Sequence, residues 1–213
     1  ERPGMDYSQE RMVKNYVNNS LNTKLLGETI TTGTRFLENV VEQSDFPLEA
    51  IEETVDEQRK IGVGVMGLAQ MLYQMGVPYD SKVGRDIASE VMRLINRESA
   101  IVSQNLATER GTFGAWVDSK WANPTEHEDW FRRHTGGLEA ENYPNGFAVR
   151  NHNQTTIAPT GTTSMIGDTS GGCEPVYSVA YYKNVGDDIQ GDDLLIEFDS
   201  YFVQTLRENG IEV

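Results

Sequence analysis

The residues best suited to chemistry in this chain are Thr155-Thr156-Ile157-Ala158-Pro159-Thr160-Gly161-Thr162-Thr163-Ser164. A β-branched run passes through a proline into a cluster of hydroxyls around one glycine. Such a loop can aim several backbone N–H groups and three or four hydroxyls at one point. That arrangement suits a phosphate, the more so where a helix begins and adds its positive dipole end. Seven residues past Ser164 the chain turns again, through Gly171-Gly172-Cys173-Glu174-Pro175, and Val176–Tyr182 follow with a strand-like composition. Pro-Thr-Gly-Thr alone is equally an ordinary turn, and no Gly-Lys-Ser/Thr follows, so a nucleotide loop of the Walker type is excluded.

Other reactive residues offer less. Cys173 is the only cysteine, which excludes an internal disulfide framework and any multi-thiolate metal site. It is expected as a small buried side chain, and Glu174 as a structural group of the turn. His127, His134 and His152 lack partners at ligand spacing, so no metal site is expected. Asp187, Asp188, Asp192 and Asp193 read as a solvated acidic turn. Arg150, Asn151 and Asn153 precede the hydroxyl loop and are expected to fix it rather than touch a ligand.

These residues must be held by alternating helices and short β segments, which argues an α/β fold. Residues 1–20 suggest a helix. Leu26, Ile30, Gly33, Leu37, Val40 and Val41 recur at helical spacing, and Phe46-Pro47 ends that unit. Residues 48–58 read as a short acidic helix. Ile61-Gly62-Val63-Gly64-Val65-Met66-Gly67 alternates glycine with apolar residues, as in a strand or entry turn where another backbone comes close. Its glycine spacing superficially matches a dinucleotide fingerprint, but no acidic residue lies at a convincing distance beyond, and close packing is the preferred reading. A helix is expected over 68–75. Another runs from a Ser81 cap to Arg110-Gly111, with Ile87, Val91, Leu94, Ile95, Val102 and Leu106 on one stripe. Trp116, Trp121, Pro124 and Trp130 mark an irregular region with a short helix near 126–134. A last helix is expected over 194–209, with Asp192 and Asp193 in its first turn and Gly210 as its stop.

Composition bounds the function. The 213 residues suffice for one sizeable core, and 38% are hydrophobic. The 33 acidic and 18 basic residues leave a net charge of -15, which disfavours nonspecific contact with nucleic acid. Arginine outnumbers lysine, and the acidic surface is compatible both with a salty cytoplasm and with an ordinary acidic protein. No run approaches the ~20 apolar residues of a membrane span, and a cytoplasmic location is the default expectation.

Four ordered blocks carry a resemblance. They are Arg35-Phe36-Leu37-Glu38-Asn39-Val40-Val41; Arg59 to Ala69; Arg150-Asn151 with Thr156 to Ser164; and Gly171 to Pro175. In this order the chain resembles the large, catalytic subunit of ribonucleotide reductases, most closely the adenosylcobalamin-dependent class. The resemblance implies part of a ten-stranded α/β barrel, with residues 1–213 as a single partial domain from its C-terminal portion. A partial barrel exposes strand edges and should fold poorly alone. The resemblance also implies that Pro159, Thr160, Gly161, Thr162, Thr163 and Ser164 hold the diphosphate or triphosphate of a ribonucleotide. In such enzymes adenosylcobalamin generates a thiyl radical that takes the ribose 3′ hydrogen, and a cysteine pair supplies electrons for loss of the 2′ hydroxyl. Cys173 matches none of those cysteines, and the Asn-x-Cys-x-Glu loop of the radical cysteine is not present. No catalytic residue is therefore expected in the chain itself. The remaining partners implied are the rest of the catalytic subunit, a thioredoxin-like reductant and a second copy in a homodimer. Two alternatives stand beside this: a class I large subunit fed its radical by a second protein, and a non-catalytic phosphate-binding or assembly module.

Overall fold

The computed structural model describes residues 7–176, 178–183 and 195–212. The chain forms two compact units, one comprising Glu1–Gly64 and Lys82–Ile157, the other Val65–Ser81 and Ala158–Val213.

In the first unit, α1 (Tyr7–Ser20) and α2 (Thr23–Gln43) both pack on the long α5 (Lys82–Arg110). Val13 and Val17 of α1, four residues apart, are buried, as one helical face requires. Asn22 caps α2, its Oδ1 accepting from Leu25 N at 3.0 Å. The α5 stripe buries Ile87, Val91, Ile95, Val102 and Leu106 as the periodicity predicts. The α2 stripe differs. Its buried positions are Ile30, Thr34 and Glu38, while Val40 is 46% and Phe36 63% exposed. The inward face is rotated to bring a carboxylate inside.

The acidic helix α3 (Glu49–Gln58) ends on Arg59, a non-glycine residue in the left-handed region at φ 42°. Residues 61–63 then run extended beside 153–156: Ile61 N donates to Asn153 O, Val63 N to Gln154 O and Thr156 N to Val63 O, at 2.9, 2.9 and 3.0 Å. Glycine is required here. A Cβ on Gly62 would lie 2.6 Å from Thr156 Cγ2, and one on Gly64 2.5 Å from the Thr156 carbonyl oxygen. Close packing is thus the role of both glycines. Beyond α5, irregular chain and α6 (Glu128–His134) enclose an aromatic core of Phe113, Trp121, Phe131 and Phe147. Trp121 stands edge-on to Trp130 at 4.7 Å between centroids and donates its indole N–H to His152 O. Each such buried ring contributes about 2–3 kcal/mol through removal of apolar surface from water.

The second unit holds α4 (Leu68–Gln74), α7 (Gly161–Ile166), the antiparallel pair β1 (Ala180–Lys183) and β2 (Leu195–Phe198), and α8 (Ser200–Glu208). Two expectations are corrected here. Of the strand-like 176–182, only Ala180 onward is strand, and Tyr177 lies outside the described residues. The last helix starts at Ser200 rather than 194. Leu195-Ile196-Glu197-Phe198 has the β-branched and aromatic bulk of a strand, and Asp199 is the cap, its Oδ1 accepting from Phe202 N at 2.8 Å. Asp187, Asp188, Asp192 and Asp193 lie outside the described residues. Among the described residues, helix dominates, β1 and β2 form the single ladder, and no helix is long and apolar enough to cross a membrane.

Candidate phosphate site and buried ion cluster

The hydroxyl loop belongs to the second unit. Its helix begins at Gly161, so Thr162, Thr163 and Ser164 lie in the first turn of α7. Among the described residues the N–H groups of Gly161, Thr162 and Thr163 have no intrahelical acceptor. Thr160 precedes them in the left-handed region, at φ 50° and ψ 28°. That conformation costs a non-glycine residue roughly 1–2 kcal/mol, so neighbours must impose it. One neighbour is the second turn: Gly172 N donates to Thr160 Oγ1 at 2.6 Å. Ser164 N closes the helix onto Thr160 O at 2.9 Å.

The six expected site residues are brought together but are not equivalent. Pro159, Gly161, Thr162 and Thr163 are exposed, Thr160 is half-buried, and Ser164 is buried with its hydroxyl donating to Gly161 O at 3.3 Å. Ser164 thus closes the turn from inside, and the outward hydroxyls are those of Thr162 and Thr163. Gly161 has no positive φ, and a Cβ there would meet nothing within 4 Å. The glycine that close approach demands is Gly172, at φ +44°, where a Cβ would sit 2.9 Å from Ala158 O.

The stretch 158–176 carries no Lys, Arg or His, so its donors are neutral. Neutral donors hold an anion less tightly than a cluster of arginines and let it leave. The loop after α7 is anchored on α4 and α8. Thr169 Oγ1 donates to Gln70 Oε1 and Gln70 Nε2 to Asp199 Oδ2, each at 2.6 Å, while Gly67 N donates to Ser170 O at 2.8 Å. Burial, and then the nearby Asp199 carboxylate, push the Tyr73 phenol above its ordinary range. Tyr79 donates its hydroxyl to Cys173 O at 2.7 Å. Cys173 itself is half-buried rather than buried, and Glu174 is exposed.

The first unit contains a cluster that the sequence reading missed. Glu38, fully buried on α2, accepts at Oε1 from Arg59 Nε, Arg59 Nη2 and Arg150 Nε at 2.9, 2.6 and 2.8 Å. Its Oε2 accepts from Asn151 Nδ2 at 2.6 Å. Glu42 pairs with both arginines and Asp56 with Arg59. Asn151 donates its second amide hydrogen to Arg59 O at 3.0 Å and exchanges hydrogen bonds with the Ser103 hydroxyl. Arg150 and Asn151 therefore fix their own segment against α2 and α5, within the first unit, rather than the hydroxyl loop they were expected to hold. The available signal was Glu38 itself, an acid eight residues past Ile30 and so on the same helical face.

Two of the histidines behave as structural groups. His134 stacks on Trp130 at 4.3 Å and His152 meets Phe113 edge-on at 5.3 Å. Among the described residues no three His, Cys, Asp or Glu converge as metal ligands.

A left-handed threonine at the head of a hydroxyl-rich turn, backed by a Gly-Gly turn, is embedded in a sequence whose residues 10–213 match the family described as the ribonucleotide reductase barrel domain. The chain belongs to that family. It is 40% identical over 186 residues to the vitamin B12-dependent ribonucleoside-diphosphate reductase of Thermoplasma acidophilum, which covers 87% of the chain and 21% of the relative. It is 34% identical over 160 residues to the protein of the same name from Mycobacterium tuberculosis, covering 75% of the chain and 20% of the relative. Against the ribonucleoside-diphosphate reductase subunit alpha of Treponema pallidum the identity is 30% over 160 residues, covering 72% of the chain and 18% of the relative. The chain thus spans about a fifth of the length of these curated relatives.

Proposed function

We propose that the chain is part of the catalytic barrel of an adenosylcobalamin-dependent ribonucleoside-diphosphate reductase, in which Pro159 to Ser164 receive the phosphates of the substrate. The ten-stranded barrel would be completed by the rest of the catalytic subunit, and the enzyme would draw electrons from a thioredoxin-like reductant, as a cytoplasmic homodimer. The observation that carries this reading is the turn at Thr160: the N–H groups of Gly161, Thr162 and Thr163, which find no acceptor among the described residues, and the exposed Thr162 and Thr163, in a family of nucleotide reductases. The cobalamin-dependent class is favoured over class I because the 40% and 34% identical relatives bear that name, against 30% for the subunit alpha relative.

When bound, the cofactor supplies the radical that opens the ribose to reduction. The chain's own work is to bind and orient. Backbone amides of the α7 turn, with Thr162 and Thr163, take the anionic oxygens, Ser164 holds the turn closed, and the ribose is thereby set at a fixed distance from the anchored phosphates.

The test is deoxyribonucleotide formation by the catalytic subunit containing this chain, with a dithiol reductant, with and without adenosylcobalamin. Activity is expected only with the cofactor. Cofactor-independent turnover would overturn the class assignment.

A further inference from the structure

We infer that Gly172 is a positioning residue for the phosphate site, acting by turning the Thr160 hydroxyl proton toward the ligand; the inference rests on the phosphate reading of the loop above. A threonine hydroxyl has one proton to donate and two lone pairs to accept with. At Thr160 one lone pair is taken by the Gly172 N–H at 2.6 Å. The proton must therefore point away from Gly172, and among the described residues no protein group accepts it. Accepting one hydrogen bond also polarises the O–H and makes it a better donor. The backbone enforces the geometry from both sides. Thr160 is left-handed, which swings its side chain back toward the second turn, and Gly172 is left-handed too, at φ +44°, with its α-carbon packed so closely that a Cβ would meet Ala158 O at 2.9 Å. Gly171 flanks it, with space for a Cβ only at van der Waals contact with Pro159 O, 3.5 Å away. Neither turn alone has this property. The Gly-Gly turn presents a bare N–H at the one place where Thr160 can accept it, and Thr160 then carries an oriented proton at the mouth of the amide cluster.

The experiment is equilibrium dialysis of CDP against the catalytic subunit containing this chain, without cofactor, alongside KM and kcat in the complete assay. Four variants are needed: Thr160→Val, Thr160→Ser, Gly172→Ala and Thr162→Glu. A hydrogen bond to a charged group is worth roughly a 10- to 100-fold change in affinity. Thr160→Val, nearly isosteric and equally β-branched, is expected to weaken CDP binding about 10- to 100-fold, raising KM more than it lowers kcat. Thr160→Ser is expected to recover the affinity that valine loses. Gly172→Ala is expected to mimic Thr160→Val, and should it fail to fold, the Thr160 pair still decides. Thr162→Glu puts a carboxylate where the phosphates would sit and tests the loop itself. If Thr162→Glu weakens CDP while Thr160→Val stays within about twofold, the positioning role is overturned and the loop reading stands. If Thr162→Glu leaves CDP binding unchanged, the loop reading falls and takes the inference with it.

Discussion

Glu38 and Asn151, 113 residues apart in sequence, meet at 2.6 Å with both side chains wholly withdrawn from solvent. The carboxylate there also neutralises Arg59 and Arg150, so the bond is one strand of a charge-assisted cluster joining α2, the Arg59 turn and the start of the 150–156 segment. Removing one partner of such a cluster strands the rest without water.

Glu38→Gln is accordingly expected to destabilise the first unit by about 3–5 kcal/mol, because two nearly buried guanidinium groups lose their central counter-charge. Asn151→Ala should cost less, about 1–3 kcal/mol, since the groups it leaves unsatisfied are one carboxylate oxygen, one backbone carbonyl and the Ser103 hydroxyl proton, with no guanidinium losing its counter-charge. Urea denaturation of the two variants measures both. Equal losses would show that the amide, not the charge, organises the cluster.

Stability should fall as the solution is acidified, through His152. Burial, then Lys60 and His134, hold its imidazole below the ordinary histidine value, and its buried Nδ1 has no hydrogen-bond partner among the described residues. The unfolded chain therefore binds the proton more readily than the folded one. Folding is favoured fully above about pH 6.5, and this contribution is lost as the pH falls through the lower folded value. The wild type is expected to lose more Tm than His152→Gln between pH 8 and 5. Parallel pH profiles would refute the assignment.

The glycines at 62 and 64 should respond differently to one compensating change. Gly62→Ala meets the Thr156 side chain and Gly64→Ala meets the Thr156 backbone oxygen, and overpacking of either kind costs about 1–3 kcal/mol. Adding Thr156→Ala removes the methyl at 2.6 Å but leaves Thr156 Cβ at 3.0 Å, so it should partly rescue Gly62→Ala. It should not rescue Gly64→Ala. Thermal denaturation of the four variants checks this, and equal rescue would place the obstacle elsewhere.

The elements with long, regular periodicity were legible in the sequence. The stripe of α5 needed no tertiary knowledge, because 29 helical residues repeat one pattern with a glycine stop. The face of α2 was misjudged because burial there is decided by Arg59 and Arg150, distant in sequence, which draw Glu38 inward against its own hydration. The position of the hydroxyl loop was legible, but its conformation was not. Glycine and threonine are weak helix formers, so nothing local announces a helix at Gly161, and a left-handed β-branched residue is recognisable only once Gly172 is seen against it. The strand at 195–198 was absorbed into a helix because four residues are too few for either period to show, and its partner strand lies before the undescribed segment.

All three tryptophans, at 116, 121 and 130, lie in the first unit, while the lone thiol, Cys173, lies in the second beside Gly172. Nature has thus laid out a spectroscopic division of labour. Indole emission of this chain therefore watches the aromatic core of the first unit, whereas a maleimide dye on Cys173 would report from the Gly171–Glu174 turn of the second.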